Sequence, residues 1–408
     1  MFQLLSRSTL FIFFLATVAC TSTKPSLSSE LQNCLPQGGL ITANSVVFPK
    51  EECVECKEVS KQLDRHLNAH ASLEIDPGSY DSWQECLNQN DNIQTFFLAP
   101  GNYTKWGTLN LNGQSNITFS NKENRKFSKT QHAWHPVQLP PSQQVILENF
   151  ILINCQNVLL NGISFAGQTY HQIVALTGGW QNKIEGGKGN IVNKCFIKDV
   201  FRGSGIRLKN TDNNVVLNSV LEQTNPALTG DNVAVLISAD GDKVSRGNKI
   251  LNNEIRNWND GFMLGFSRPK KNKARKRSTH QTGECPATLF AYNSIYLTPA
   301  FHQDNGAKAF AENAIDLKNG TSSSRQEDKI RLFKNKIWGF RSSVKKWSSG
   351  SPGAGIALHV NASNIEVTDN IIFDVPLGIS IRSNAVKHKG AKTENILIRN
   401  NLFSEIKS

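Results

Sequence analysis

The 408-residue sequence has few acidic residues compared with its basic ones. There are 33 Asp and Glu residues against 45 Lys and Arg residues, which gives a formal net charge of +12. This excess favours a polyanionic partner, such as an acidic polysaccharide, a nucleic acid or an anionic membrane surface. Charge alone does not choose among these three.

Long apolar runs are absent after the first twenty residues. No later stretch approaches the ~18 apolar residues that a membrane-spanning helix needs. The first twenty residues, MFQLLSRSTLFIFFLATVAC, contain one early basic residue, Arg7, an apolar core of about eleven residues and small residues before Cys20. This is the pattern of a secretory signal, so the sequence predicts an exported protein and argues against a nucleic-acid partner.

The end of this signal leaves two alternatives open. The four residues from Thr17 to Cys20 read TVAC and resemble a bacterial lipobox, in which Cys20 is lipidated after cleavage, although Leu is usual at the position of Thr17. The other alternative is an ordinary cleaved signal in which the cysteine has no role. We expect an outer-membrane or periplasmic lipoprotein that is bound to the membrane through Cys20, and otherwise a secreted protein.

A second CxxC motif and a surrounding thioredoxin-like βαβ pattern are also missing, which argues against a zinc site or a redox centre at the CVEC segment. Cys155 and Cys195 lie in strand-like runs, and we expect them to be small buried side chains. With Cys20 set aside, four cysteines precede residue 90, and in an exported protein they favour two disulfides with three possible connectivities: Cys34, Cys53, Cys56 and Cys86.

Helical periodicity occurs only near the amino terminus. Residues 48–71 read as one amphipathic helix, and DSWQECLNQ, residues 81–89, reads as a second. Beyond them, short apolar runs alternate with Asn, Gly and Asp turns, which is typical of strands. The sequence therefore predicts a signal at 1–20, a linker and helical amino-terminal cap at 21–90, and an all-β body at 91–408.

The all-β body contains an internal repeat. Eight segments share strand residues, an asparagine and a second apolar run, as in VLLNGISF and RLFKNKIW, and neighbouring asparagines are 25 to 42 residues apart. Such spacing predicts a solenoid with loops inserted between strands. Asparagine suits it, because it tolerates left-handed turns and its amides can hydrogen-bond from coil to coil. The eight residues are Asn161, Asn193, Asn218, Asn253, Asn293, Asn335, Asn370 and Asn401.

These repeats, together with the segment FFLAPGNY at 96–103, resemble the right-handed parallel β-helix proteins of the pectate-lyase-like superfamily. The resemblance covers roughly residues 90–408 and implies a right-handed parallel β-helix, a solenoid, as the fold class. It implies less about chemistry, because lyases, hydrolases, epimerases, adhesins and phage tail proteins share this fold.

Each coil has a second strand after its asparagine, and five of these strands align as GIRLK, GFMLG, AIDLK, GIALH and GISIR. Alternate residues of a strand face opposite sides, so pairs such as Ile315 and Leu317 or Ile379 and Ile381 point inward. The residues between them form two outward columns. One column contains Lys209, Gly265, Lys318, His359 and Arg382, and the other contains Arg207, Met263, Asp316, Ala357 and Ser380.

The first outward column has no acidic member, and four of its five residues are Lys, His or Arg. Stacked like charges about 5 Å apart repel one another, so an ordinary solvated face would mix signs. A groove that binds a polyanion would not need acidic side chains between the basic ones. The alternative is an ordinary solvated face, because solvent-facing positions are polar in any protein. Given export, we expect the partner to be an acidic polysaccharide and the protein to be a monomer.

Cleavage of a uronic-acid polymer by β-elimination needs a base for the proton beside the carboxylate and positive charge to stabilise the resulting anion. A lysine among cations can be that base, because neighbouring positive charge disfavours its protonated form. Lys318, with Lys209, His359 and Arg382 in the same column, fits this role. The sequence predicts a polysaccharide lyase, and the alternative is a non-catalytic envelope or cell-surface glycan-binding protein.

The strand that runs from Glu312 to Lys318 resembles the equivalent strand of chondroitinase B and of β-helix alginate lyases. The resemblance implies that Lys318 is the base, that Arg382 or Arg341 assists, and that calcium contacts the substrate carboxylate. Those enzymes have an Arg-His strand on the next coil, where this chain has ALH with His359 alone. The resulting site comprises Lys318, Arg382 and His359 as catalytic residues, Lys209, Arg207 and Arg341 as substrate-binding residues, and Glu312 and Asp316 as calcium ligands.

Two other segments are less informative. KNTDNN contains the Asn-Thr-Asp of polygalacturonase-type hydrolases, but the Asp-Asp pair and the Gly-His-Gly that these enzymes also need are absent, so Asp212 is expected to be a turn residue. RPKKNKARKR, residues 268–277, is a basic loop by composition. It is either simply solvated or a contact for an anionic glycan or lipid surface.

Overall fold

A computed structural model describes residues 53–68, 71–123, 140–165, 182–200, 203–226, 232–265, 283–302, 312–341, 353–359, 361–381 and 393–406. Within these ranges the chain forms two α-helices and thirty short strands, which are numbered here in chain order. The strands make three sheets, and every strand pairing within them is parallel.

Sheet 1 has eleven strands, in the order β1 (Ser72–Ile75), β2 (Thr95–Leu98), β5 (Thr118–Asn121), β8 (Leu159–Asn161), β11 (Ile191–Asn193), β14 (Val215–Leu217), β17 (Lys249–Leu251), β20 (Leu289–Ala291), β23 (Ile330–Phe333), β26 (Ile365–Thr368) and β29 (Ile396–Arg399). Sheet 2 has ten, in the order β3 (Gly101–Asn102), β6 (Val145–Leu147), β9 (Ile163–Phe165), β12 (Phe196–Lys198), β15 (Val220–Glu222), β18 (Glu254–Arg256), β21 (Ser294–Tyr296), β24 (Lys336–Trp338), β27 (Ile371–Val375) and β30 (Leu402–Ile406). Sheet 3 has nine, in the order β4 (Leu109–Asn112), β7 (Phe150–Ile153), β10 (Lys183–Glu185), β13 (Gly203–Lys209), β16 (Asn232–Ser238), β19 (Asp260–Leu264), β22 (Asn313–Leu317), β25 (Ala354–Leu358) and β28 (Ile379–Ile381).

From β4 onward the chain visits sheet 3, sheet 1 and sheet 2 in turn, and each circuit is one coil of a solenoid. The predicted solenoid, a parallel β-helix, is confirmed by these three parallel sheets. The apolar core runs along the inside of the three sheets. Ile315 and Leu317 are fully buried in it, as are their neighbours on the adjacent coils, so the predicted strand phase is correct.

The last coil is less well covered than the others. Ile379 is only partly buried, and Ile381 is 51% exposed, although both occupy inward positions by register. The reason is that β28 is the edge strand of sheet 3, so among the described residues no further coil packs over it.

The two helices occupy different places. Helix α1 (Val54–Leu67) lies on the outer face of sheet 1, where Val59 and Leu63 pack against Leu159, Ile191 and Val215. Neither helix that the structure describes combines the length and apolar character needed to cross a bilayer.

Helix α2 (Trp83–Gln89) begins after Ser82, whose side chain accepts a hydrogen bond from the backbone N–H of Glu85. Its Trp83 and Cys86 are buried in the main core beside Tyr103 and Trp106. Both predicted helices are present, and α2 contributes to the start of the core, while α1 covers its side. The predicted cap also contains β1, a strand that the sequence analysis did not identify.

The sequence predicts that one asparagine per coil both makes the left-handed turn and hydrogen-bonds to the next coil. In the structure these two roles belong to two consecutive residues. The left-handed turn is made by Asn218, Asn252 and Asn400, and by Lys194, Tyr292, Lys334 and Asp369 on other coils. On five successive coils the residue that follows the turn residue is an asparagine, and these side-chain amides form a ladder. Each of the first four donates its Nδ2 to the Oδ1 of the one on the next coil at 2.9 to 3.0 Å: Asn253, Asn293, Asn335, Asn370 and Asn401. The eight repeat asparagines are therefore not one column.

Cysteine pairing differs from the expected two disulfides. Cys53 is bonded to Cys56 at the start of α1, whereas Cys86 is a buried thiol and so has no disulfide partner. Burial raises the pKa of Cys86 to about 11 and that of Cys195 to about 12, so both thiols stay protonated at neutral pH. Cys155 and Cys195 are fully buried, as predicted, and Cys34 and Cys20 lie outside the described residues.

The inward phase of sheet 3 gives a direct stability prediction. Ile315→Asp buries an unpaired carboxylate in the middle of the core and should cost more than about 3 kcal/mol, which would be seen as a large drop in the urea unfolding midpoint. Ile381→Asp is the matched control, because it makes the same substitution in the same sheet at a half-exposed position. Equal midpoints for the two variants would contradict the described packing.

Candidate functional site

The outward column along the carboxyl ends of the sheet 3 strands is not uniformly basic. The strand register places Glu185 beside Lys209 and Lys209 beside Ser238, after which Gly265, Lys318 and His359 follow. The predicted column omitted four of the nine strands of sheet 3, namely β4, β7, β10 and β16. The omitted β10, with the segment KIE, supplies an acidic member. The omitted β16 supplies a neutral one, although its segment AVLIS has the same alternation as AIDLK.

Lys209 and Arg207, both on β13, belong to a patch of mixed charge. The ammonium of Lys209 lies 2.7 Å from a carboxylate oxygen of Asp240 and 3.2 Å from one of Glu185. Lys183 also pairs with Glu185, and the positive charge of Arg207 acts on Asp240. The positive charge of Lys209 is therefore largely neutralised by its neighbours and does not add to a cationic ladder.

Three of the predicted site residues do meet. Lys318 follows β22 and His359 follows β25, and their side chains converge on Asp316, which β22 carries. The Lys318 Nζ lies 3.0 Å from one carboxylate oxygen of Asp316, and the His359 Nε2 lies 2.7 Å from the other. The Asp316 carboxylate is fully buried, whereas the side chains of Lys318 and His359 are 29% and 26% exposed. We call this group the Asp316 cluster.

The contacts within the Asp316 cluster stabilise the charged forms of both Asp316 and Lys318. Burial alone would raise the pKa of Asp316, but the contacts with His359 and Lys318 outweigh it and hold that pKa below its usual value of 3.8. Burial would likewise lower the pKa of Lys318, but Asp316, Asp260 and Glu312 together raise it above 10.5. At neutral pH Asp316 is therefore an anion and Lys318 is a cation.

This result removes the physical reason that the sequence analysis gave for Lys318 as a base. The neighbours that act most strongly on Lys318 are carboxylates, not cations, and they favour its protonated form. Part of the rise in the pKa of Lys318 comes from Asp260, a fully buried acid at the start of β19 that was not among the predicted site residues. Its sequence context, WNDGFML, reads as a turn, so nothing in the pattern marked it as a buried charge.

The remaining predicted residues are placed apart or are not described. Arg341 lies beyond β24 of sheet 2, where its Nε donates to both carboxylate oxygens of Asp374 at 2.8 and 2.9 Å. Arg382, the basic segment 268–277 and the lipidation candidate Cys20 lie outside the described residues. Glu312 is partly buried and near enough to raise the pKa of Lys318.

The residues predicted to hold calcium do not form a good calcium site. Calcium takes six to eight oxygen ligands, and both carboxylate oxygens of Asp316 already contact cationic or hydrogen-bonding nitrogens. Among the described residues, no group of three or more His, Cys, Asp or Glu side chains could hold a metal ion. The arrangement around Asp316 is a buried carboxylate shared between one ammonium and one imidazole nitrogen.

No family model and no curated protein sequence matches this chain. Among solved structures it is similar to PfbA, a surface adhesin of Streptococcus pneumoniae, with 13% identity and a TM-score of 0.40 over 82% of this chain and 92% of that one. It is also similar to the tailspike protein of E. coli bacteriophage HK620, with 11% identity and a TM-score of 0.42 over 91% of this chain but 65% of the tailspike. An alginate lyase from Paenibacillus sp. matches with 13% identity and a TM-score of 0.32 over 82% of this chain and 100% of that one. At these identities the similarity concerns the fold alone.

The shifted pKa values predict how the cluster contributes to stability at different pH. Because the pKa of Asp316 is lowered on folding, its contribution is present above pH 3.8 and is lost as the pH falls through the folded value. Because the pKa of Lys318 is raised, its contribution is present below pH 10.5 and is lost above it. Asp316→Asn should cost about 3 kcal/mol near pH 7, because it leaves a partly buried cation without its partner.

Urea unfolding of the wild type and Asp316→Asn in parallel, at pH 7, 5, 4 and 3, checks this expectation. Groups away from the cluster titrate alike in both proteins, so the difference in unfolding free energy reports on the Asp316 cluster. That difference should be present at pH 7 and should shrink below pH 4. A difference that is the same at pH 3 as at pH 7 would mean that the Asp316 charge does not stabilise the fold.

Proposed function

We propose that this protein is an exported β-helix protein that acts on acidic polysaccharide, and that it cleaves uronic-acid polymers by β-elimination. The observation that carries the proposal is the shared carboxylate of Asp316, which lies 2.7 Å from His359 Nε2 and 3.0 Å from Lys318 Nζ. A buried carboxylate that orients an imidazole and a cation at the ends of neighbouring strands matches what proton abstraction beside a carboxylate needs.

His359 is assigned as the base. Its Nε2 lies 2.7 Å from an oxygen of the anionic Asp316 carboxylate, which favours a proton on Nε2, so Nδ1 is assigned as the atom that accepts the substrate proton. In the proposed reaction Nδ1 takes the proton from the carbon beside the uronate carboxylate. The resulting electron pair forms the carbon–carbon double bond as the glycosidic C–O bond on the next carbon breaks.

Lys318 is assigned a different role from the one predicted from sequence. Its raised pKa makes it a permanent cation at neutral pH, so it is a poor base but a suitable partner for the negative charge that grows on the uronate carboxylate. As a cation it can also donate a proton to the leaving oxygen, which balances the proton taken by His359. In this scheme Asp316 is a positioning residue that touches no substrate.

Several finer assignments belong to this proposal. Arg382 is proposed as a further contact to the polyanion, because by sequence it continues the column that contains Lys318 and His359. Arg207 and Arg341 could contribute only as ion-paired groups. A calcium ion would need ligands other than Asp316, and adding or chelating calcium in the assay tests for it directly. A monomer is proposed.

Activity measurements separate His359 from Lys318 as the base. The wild type should produce unsaturated ends from at least one of alginate, pectate and chondroitin, followed by ultraviolet absorbance. His359→Gln should lower the rate by a factor on the order of 100 to 10,000, as expected for loss of a general base. Lys318→Gln should lower it comparably, and Lys318→Arg should restore part of it, because arginine keeps the charge but cannot be the base.

Lys329→Gln is the control, because Lys329 forms a similar ion pair with Glu366 on sheet 1, away from the cluster, and should leave the rate unchanged. The pH profile gives a second criterion. If Lys318 were the base, the rate would keep rising until the pH passed 10.5. Tight binding of the polymers without unsaturated products would favour the glycan-binding alternative, and no binding to any of them would exclude both functions.

Export and lipid anchoring through Cys20 are part of the same proposal and have their own test. The TVAC segment supports it, because Cys20 stands at the lipidation position of a lipobox. The protein expressed in a bacterium should partition with membranes, and Cys20→Ser should release it or block its maturation. If the two forms fractionate identically as released proteins, the segment is an ordinary signal.

A further inference from the structure

A polar groove lies between helix α1 and the turns that lead from sheet 3 to sheet 1 in the first four coils. Its cavity volume is about 390 Å³, which is within the usual range for ligand sites of roughly 300–1,000 Å³. Helix α1 contributes Gln62, Arg65 and His66, and the turns contribute Asn116, Asn157 and Asn213. Among the described residues, no apolar side chain lines it, which suits a ligand rich in hydrogen-bonding groups.

The turn side of the groove is a regular row. Asn116, Asn157, Gly189 and Asn213 occupy equivalent left-handed positions on four successive coils, with φ between 53° and 67°. The Asn157 Nδ2 donates to the Asn116 Oδ1 at 3.1 Å, which orients both amides. A side chain at Gly189 would meet the Asn157 Oδ1 at 2.6 Å, so the glycine leaves room for that amide. The row thus presents two hydrogen-bonded carboxamides one coil apart, roughly 4.8 Å, and a third, that of Asn213, two coils further along.

The helix side supplies the charge. Arg65 and His66 lie near the carboxyl end of α1, and Arg65 forms no salt bridge with any side chain in the described ranges. Burial lowers the pKa of His66, which therefore is neutral at pH 7, and its Nδ1 lies 3.4 Å from the Thr118 hydroxyl at the floor of the groove. The groove thus carries one positive charge, that of Arg65, among neutral donors and acceptors.

We propose that this groove binds an acidic saccharide, with the carboxylate of one sugar on Arg65 and sugar hydroxyls on the asparagine row. Carboxamides donate and accept hydrogen bonds at once, as sugar hydroxyls do, and guanidinium pairs with a carboxylate through two parallel hydrogen bonds. The acidic class of the ligand rests on Arg65 and agrees with the proposed function, but the site itself is independent of the cleavage chemistry.

The groove is separate from the Asp316 cluster. Asn213 follows β13 and Lys318 follows β22, three coils further along the same edge of sheet 3, which corresponds to roughly 14 Å at the spacing of neighbouring strands. No residue is shared between the two sites. The groove would therefore hold the polymer without taking part in bond cleavage.

Calorimetric titration with a hexamer of alginate, a hexamer of pectate and neutral cellohexaose tests the proposal. The titrations use His359→Gln as the background, so that no ligand is cleaved. At least one acidic hexamer should bind, and Arg65→Gln should weaken its binding by about tenfold or more, because the charge-assisted contact to the carboxylate is lost. Asn116→Ala combined with Asn157→Ala should weaken acidic and neutral ligands alike. Lys57→Gln, on the same helix but outside the groove, is the matched control and should change nothing.

The outcomes distinguish this site from the proposed activity. In the His359-containing protein, Arg65→Gln should leave the maximal cleavage rate unchanged while raising the polymer concentration needed to reach it. If the wild type cleaves nothing, the groove is still tested by the titrations. The proposal is overturned if no acidic hexamer binds, if Arg65→Gln binds like the parent, or if cellohexaose binds as tightly as the acidic ligands. Urea midpoints of the variants confirm that each one is folded.

Discussion

The stacking of coils in exact register is the constraint on which the rest of the molecule depends, and buried asparagine amides enforce it. In the ladder from Asn253 to Asn401, each amide bonds to the next coil and also to the backbone, as when Asn335 Nδ2 donates to the Phe290 carbonyl. An unsatisfied buried polar group costs about 1–3 kcal/mol, so a coil shifted by one residue would lose a bond at each of these positions. A second ladder, Asn190, Asn214 and Asn248, does the same at the corner between sheets 3 and 1.

Register explains how a site arises from residues far apart in sequence. Asp316 and His359 are separated by the whole of one coil and its loops, yet the pairing of Leu317 with Leu358 fixes them side by side. Loops inserted between strands leave that pairing unchanged, which is why the repeat spacing can vary while the geometry of the Asp316 cluster does not. The buried carboxylate then depends on both partners, because a charge in the interior is stable only when it is paired.

The sequence was sufficient for the fold and for part of the site. The solenoid, its strand phase at Ile315 and Leu317, and both helices followed from periodicity and from the repeated asparagines, because these patterns report local geometry. Whether an outward residue is paired depends on neighbouring coils instead, and the column predicted from five strands left out β10 and β16. Thus Lys318, His359 and Asp316 were correctly brought together, but Asp316 was assigned to calcium instead of to Lys318, and the contribution of Asp260 was not identified.

The net positive charge, which favours a polyanionic partner, does not indicate where such a partner would bind. Seven Lys and Arg residues lie within 268–277, against a net charge of +12 for the whole chain, so much of the excess belongs to one segment outside the described coils. On the sheet 3 edge, Lys209 is matched by Asp240 and Glu185, and Lys318 by Asp316. The edge of sheet 3 therefore cannot bind a polyanion through a uniformly positive electrostatic potential. Recognition requires individual cations whose partners leave part of the side chain accessible, as at Lys318, or a cation set among neutral amides, as at Arg65.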